Sequence, residues 1–71
     1  MGIYIQAEYH TSRGRIDLLI GTDKYVYIIE LKHDGSAQEA LNQINEKDYA
    51  LPFSIDNRQI VKVGANVSRE T

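Results

Sequence analysis

The sequence predicts a small α/β domain built on a mixed four-stranded sheet in the order β-β-β-α-β. Three observations lead there. Four segments carry the period-two alternation or the β-branched and aromatic density of strands, and the first three are separated only by short polar turns. A capped amphipathic helix stands between the third and the fourth. Short turns make the first three strands an antiparallel meander, whereas a helical connection places the fourth parallel to the third through a right-handed crossover.

The first strand is read from Ile3 to Tyr9, where Ile3, Ile5, Ala7 and Tyr9 alternate with Tyr4, Gln6 and Glu8. His10-Thr11-Ser12-Arg13-Gly14 is a turn, and Arg15 to Ile20 forms the second strand. Gly21-Thr22-Asp23-Lys24 turns the chain again. Tyr25 to Lys32 is apolar almost throughout, as expected of a central strand covered on both faces. After the break at His33-Asp34-Gly35, Ser36-Ala37-Gln38-Glu39 is a capping box. Ala37, Ala40, Leu41, Ile44 and Leu51 then recur at helical spacing, and Pro52 is expected to end the helix near Leu51. A loop from Ser54 to Arg58, with the turn pair Asp56-Asn57, leads to the fourth strand, Gln59 to Val67.

Length and composition bound the function. Seventy-one residues make one domain, too short for a second. The absence of cysteine excludes disulfides, thiolate metal sites and Cys nucleophiles, and two histidines are too few for a His-rich site. A net charge of −2 excludes a global positive field, so any nucleic-acid binding must be local. No apolar run approaches the ~20 residues of a membrane span and no signal-peptide layout is present, so the expected compartment is the cytoplasm and no membrane partner is expected. One helix covers one face of a sheet, yet Ile16, Leu18, Ile20, Tyr25, Tyr27, Ile29 and Leu31 fall on one face while Leu19, Val26 and Ile28 fall on the other. The uncovered face predicts self-association, most simply a twofold homodimer.

Strand parity directs the carboxylates. With an even loop around Ser12-Arg13, paired residue numbers sum to 25 and Glu8 lies opposite Asp17. With Thr22-Asp23 or Gly21 to Lys24 as the second loop, the sum is 45; Asp17 then lies opposite Ile28 and diagonal to Glu30, and Lys32 shares that face. Three clustered carboxylates require a compensating cation, and magnesium, which keeps waters and phosphate oxygens beside one or two carboxylates, suits them. Lys32 stands where it can orient a water or stabilise a phosphoryl transition state.

The Glu30-Leu31-Lys32 triplet is weak evidence alone. Composition yields roughly 0.3 Glu-x-Lys triplets by chance, and such a strand-end pair is ordinarily a solvated ion pair worth under about 1 kcal/mol. Asp17 adds weight because it interrupts an apolar strand, with Arg15 as its structural explanation. His10 reads as a turn-flanking polar residue, and Tyr4, Tyr9, Tyr25 and Tyr27 as packing residues. Gln43 and Lys47 lie one helical turn apart on the flank of the apolar stripe, where a solvated rim accounts for them.

Taken together, Gly14-Arg15-Ile16-Asp17-Leu18, the Glu30-Leu31-Lys32 ending of an apolar strand and the Asp34-Gly35-Ser36-Ala37…Ala40-Leu41…Gln43-Ile44 helix resemble the PD-(D/E)XK nuclease superfamily. More narrowly, they resemble the nuclease-like C-terminal domain of bacterial AAA-ATPase-like proteins. The resemblance spans nearly the whole chain. It implies a restriction-endonuclease-like fold, Asp17 and Glu30 as ligands of Mg²⁺ or Mn²⁺, and Lys32 as the catalytic lysine. Gln43 matches the polar helix position bordering the site, and Glu8 an acidic position before the Gly-Arg-x-Asp segment, a further metal ligand. The implied function is metal-dependent phosphodiester hydrolysis of nucleic acid, DNA ahead of RNA, with Arg13, Arg15, Lys47 or Lys62 supplying local positive charge. A non-catalytic interaction module serving an attached AAA-ATPase-like domain is the alternative. The superfamily core begins with a helix, whereas this chain starts inside its first strand and ends at Arg69-Glu70-Thr71; both ends are read as those of a fragment of a longer protein.

Overall fold

The computed structural model describes residues 2–33, 35–54 and 57–67. Asp34, Asp56 of the expected turn pair, and the Arg69-Glu70-Thr71 end lie outside the described residues. The elements are β1 (Tyr4–Thr11), β2 (Gly14–Gly21), β3 (Tyr25–His33), α1 (Ala37–Glu46), a 3-10 turn (Leu51–Phe53) and β4 (Gln59–Val67). The sheet order is β1-β2-β3-β4, with two antiparallel pairs and a parallel β3–β4 pair, as the turns and the crossover helix dictate.

The first hairpin has the expected register: Thr11 pairs with Gly14 around Ser12-Arg13, and the Thr11 hydroxyl accepts the Arg13 amide at 3.0 Å. The second hairpin differs by one residue in its turn. Thr22 donates its amide to the Tyr25 carbonyl at 2.8 Å, and its hydroxyl accepts the Tyr25 amide at 3.0 Å, so the loop is Asp23-Lys24. Leu19 therefore pairs with Ile28 and Gly21 with Val26, which makes the paired numbers sum to 47. Parity is unchanged, but the next step of the register sets Asp17 directly across from Glu30 instead of opposite Ile28.

The helix begins as expected. Ser36 accepts the Glu39 amide at 3.0 Å while the Glu39 carboxylate accepts the Ser36 amide at 2.9 Å. It ends earlier than expected, at Glu46. Asp48 takes a left-handed conformation (φ 54°), its amide reaches Asn45 and that of Tyr49 reaches Ile44, which is a Schellman closure with Asp where Gly is usual. The chain then turns inward, and Tyr49 is buried in the core.

That core lies between the sheet and α1: Ile16, Leu19, Val26, Ile28, Ile44 and Tyr49, flanked by Tyr9, Leu41, Phe53 and Ile60. Ile16 was expected on the opposite face from Leu19. The β1–β2 ladder pairs Ala7 with Leu18 and Tyr9 with Ile16 but skips Glu8 and Asp17, and Glu8 has φ 54°. A left-handed residue in a strand breaks the alternation, so Tyr9 and Ile16 cross to the helix side. Glycine at position 64 lets the helix sit close to β4, because a Cβ there would strike the Ala37 carbonyl oxygen and lie 2.6 Å from the Leu41 amide nitrogen. On the other face, Leu18, Ile20, Tyr27, Ile29, Val61 and Val63 are half-buried, Tyr25 and Leu31 are exposed, and no described element covers them.

Candidate functional site

The β2–β3 ladder stops at Leu18 and Ile29, although β2 runs back to Gly14 and β3 on to His33. Asp17 occupies the point where pairing ends. Its Oδ2 accepts the Leu31 backbone amide at 2.9 Å, so a side chain replaces the next rung of the ladder. Arg15 stands 3.7 Å from Asp17 Oδ1 and 4.0 Å from Glu8 Oε1, bridging two carboxylates across β1 and β2. A cleft of about 300 Å³ opens here, lined by Ala7, Glu8, Arg15, Asp17, Leu31 and His33.

Glu30 projects from β3 to the helix side and is 4% exposed. Gln43 of α1 donates its Nε2 to Glu30 Oε2 at 3.2 Å. The other oxygen, Oε1, is buried and has no hydrogen-bond partner. Burial, then hydrogen bonding to Asp17 and the Asp17 charge, push the Glu30 carboxyl up from 4.5 to about 7, against smaller opposing effects of the Arg15 cation and the Asp17 backbone. An ionised Glu30 next to Asp17 thus lacks a positive or protic partner at Oε1. A proton or a cation supplies it.

Lys32 follows Glu30 by one strand repeat on the same face, in register with Asn66 of β4. It is half-buried and forms no ion pair among the described residues.

Of the residues expected in the site, Asp17, Glu30 and Gln43 meet at the open end of the β2–β3 pair, and Lys32 stands one strand repeat beyond Glu30 with its stem against Gly35. Glu8 is joined to them through Arg15, with its side chain 70% exposed. Among the described residues no group of three or more His, Cys, Asp or Glu is gathered tightly enough to hold a metal. Two carboxylates and phosphate or water oxygens are the donor set that magnesium ordinarily takes, so the Asp17–Glu30 pair fits such an ion. Of the expected basic residues, Arg15 lines the cleft. Lys62 donates instead to Asn45 Oδ1 at 2.8 Å, Arg13 lies in the first hairpin turn and Lys47 caps α1 at its C-terminal end. Sequence reasoning passed over His33 as a lining residue; odd parity on β3, shared with Leu31, was its signal. It also gave no role in the site to the Leu31 amide, which no sequence pattern marks.

A mixed four-stranded sheet with a crossover helix and an Asp-Glu-Lys set where two strands part is the arrangement of a restriction-endonuclease-like protein. The family model of the PD-(D/E)XK nuclease superfamily matches residues 1–71, and the chain belongs to that superfamily. No curated protein and no solved structure matches it. Membership implies a nuclease-type function, nucleic acid as the partner and a divalent metal as the general requirement. None of the described helices is long and apolar enough to cross a membrane.

Proposed function

We propose that this domain hydrolyses phosphodiester bonds in nucleic acid, DNA rather than RNA, with Mg²⁺ or Mn²⁺ held by Asp17 and Glu30 and with Glu8 contributing from the cleft wall. The observation that carries this reading is the buried, unpartnered Oε1 of Glu30 beside Asp17. A carboxylate held there without a counter-charge is costly unless the site is meant to be filled. A bound divalent cation supplies charge neutralisation at the phosphoryl oxygens. The protein's own groups do the rest. Gln43 fixes the Glu30 carboxylate by its amide, and Leu31 fixes Asp17 by its backbone N–H. Lys32 presents its ammonium to the phosphate oxygens on which charge develops as a water oxygen bonds to phosphorus and the P–O bond to the leaving strand breaks. Arg15 and His33 line the approach.

The experiment is cleavage of single- and double-stranded DNA and RNA with Mg²⁺ or Mn²⁺, wild type against Lys32→Ala and Glu30→Gln. Lys32→Ala retains metal binding and loses cleavage; Glu30→Gln loses both. Cleavage of neither nucleic acid by wild type, or an undiminished rate in Lys32→Ala, overturns the reading.

The alternative of a non-catalytic module serving an attached AAA-ATPase-like domain draws on the uncovered apolar face of the sheet and on the net charge of −2. We propose that a second copy covers that face in the isolated domain. Sedimentation at micromolar concentration then shows a dimer, and a well-folded monomer contradicts it.

A further inference from the structure

Lys32 owes its direction to a feature outside the site itself. A Cβ placed on Gly35 would lie 2.5 Å from Lys32 Cγ, 3.2 Å from Lys32 Cε and 2.7 Å from Glu39 Oε1. The lysine stem therefore lies against the bare Cα of Gly35, with the Glu39 carboxylate next to it. Neither neighbour yields easily. Cγ is the root of the side chain, so moving it moves the ammonium by more. Glu39 Oε1 is pinned by the Ser36 amide at 2.9 Å in the capping box. The glycine is not there for its backbone: its φ lies outside the left-handed range, so alanine suits the conformation and only the neighbouring side chains exclude it.

We propose that Gly35 and Glu39 are positioning residues for Lys32, a track built from the helix N-cap that fixes the course of its stem and so the place of its ammonium beside the site. This rests on the reading of Lys32 given above. The capping box, which would serve any helix, here also presents a fixed carboxylate beside the lysine stem, and the absent Cβ leaves the groove in which that stem lies. The start of α1 and the direction of Lys32 are then one structural unit.

The test is Gly35→Ala in wild-type and Lys32→Ala backgrounds. Two readouts are taken: the cleavage rate with Mn²⁺, and the NMR cross-peaks between the Lys32 γ-methylene and the Gly35 α-protons or their alanine counterparts. In the wild-type background, the substitution lowers kcat at least tenfold, leaves the Mn²⁺ affinity within twofold, and shifts the Lys32 Cγ resonances. In the Lys32→Ala background, the same substitution has no further effect on the residual rate. Asn42→Gly, at an exposed position in the middle of α1, is the control for simple helix destabilisation: it lowers the melting temperature but does not reproduce the fall in kcat. Unmoved Lys32 resonances in Gly35→Ala, or equal rate losses in both backgrounds, overturn the proposal. If wild type does not cleave at all, the nuclease reading fails, while the Lys32 resonances still decide whether Gly35 directs the side chain.

Discussion

The two ends of the β2–β3 pair are made of the same two strands and do opposite things. At the turn end, Leu19 faces Ile28 and Gly21 faces Val26 in an unbroken ladder, and the side chains pointing toward α1 are apolar and buried. At the other end the ladder stops, Asp17 takes the Leu31 amide that a strand carbonyl would otherwise take, and a buried carboxylate is left with an unpartnered oxygen. The hollow at the turn end is larger, about 440 Å³, but apolar, and it holds none of the carboxylate pair. Backbone pairing that is given up at one end leaves polar groups free to meet a ligand. The paired end supplies the stability that this requires.

The sharpest way to break the comparison is to exchange consequences. At the open end, Lys32→Ala lowers cleavage by about 10³ to 10⁴, equivalent to about 4 to 5.5 kcal/mol of transition-state stabilisation, with little change in melting temperature. At the paired end, Ile28→Ala removes a fully buried side chain and costs about 2 to 5 kcal/mol of folding stability by denaturant titration, while the folded fraction still binds Mn²⁺. A large stability loss in Lys32→Ala, or loss of metal affinity by folded Ile28→Ala, would erase the division of labour.

Proton linkage sharpens it further. Glu30 titrates near 7 when folded and near 4.5 when unfolded, so between these values the folded state binds more protons. Stability from this group is full below about pH 4.5 and is lost as pH rises through 7, with a slope of at most about 1.4 kcal/mol per unit. Urea titrations of metal-free protein from pH 5 to 8 should show this fall for wild type. Glu30→Gln should flatten it and be the more stable protein at pH 8. Saturating Mn²⁺ should also flatten it, by taking the place of the proton.

The smallest effect separates Glu8 and Asp48, the two non-glycine residues in the left-handed region among the described residues. Asp48 closes α1 away from the carboxylates, so Asp48→Gly relieves strain and adds about 1 kcal/mol in thermal denaturation without altering metal affinity. Glu8→Gly relieves similar strain but removes the carboxylate that Arg15 bridges to Asp17, and the Mn²⁺ affinity falls.

What could be read beforehand was what local chemistry determines. Thr11-Ser12-Arg13-Gly14, the Ser36–Glu39 capping box and the alternation of Gln59 to Val67 each contain their own instructions, and the fold class followed from them. The register of the second hairpin did not, because Gly21-Thr22-Asp23-Lys24 satisfies more than one even loop and only the Thr22 hydroxyl bonding selects Asp23-Lys24. The helix end was hidden because an aspartate holds the C-terminal left-handed position. The kink at Glu8 was hidden for the same reason: glutamate gives no sign of a positive φ. The closeness of Asp17 and Glu30 was legible from parity, which survives an error of one residue in the turn. The burial of Glu30 and its bond to Gln43 were not, since they depend on how closely α1 docks on β4 at Gly64.

The central claim is that the open end of the β2–β3 pair is a divalent-metal site made by Asp17 and Glu30. Calorimetric titration of Mn²⁺ into wild type and Asp17→Asn, with melting curves of both, tests it most directly. Wild type should bind one ion per chain and gain about 2.7 kcal/mol of stability at a hundred times the dissociation constant, and Asp17→Asn should show neither. No heat of binding and an unshifted melting curve for wild type, or equal binding by Asp17→Asn, would contradict it.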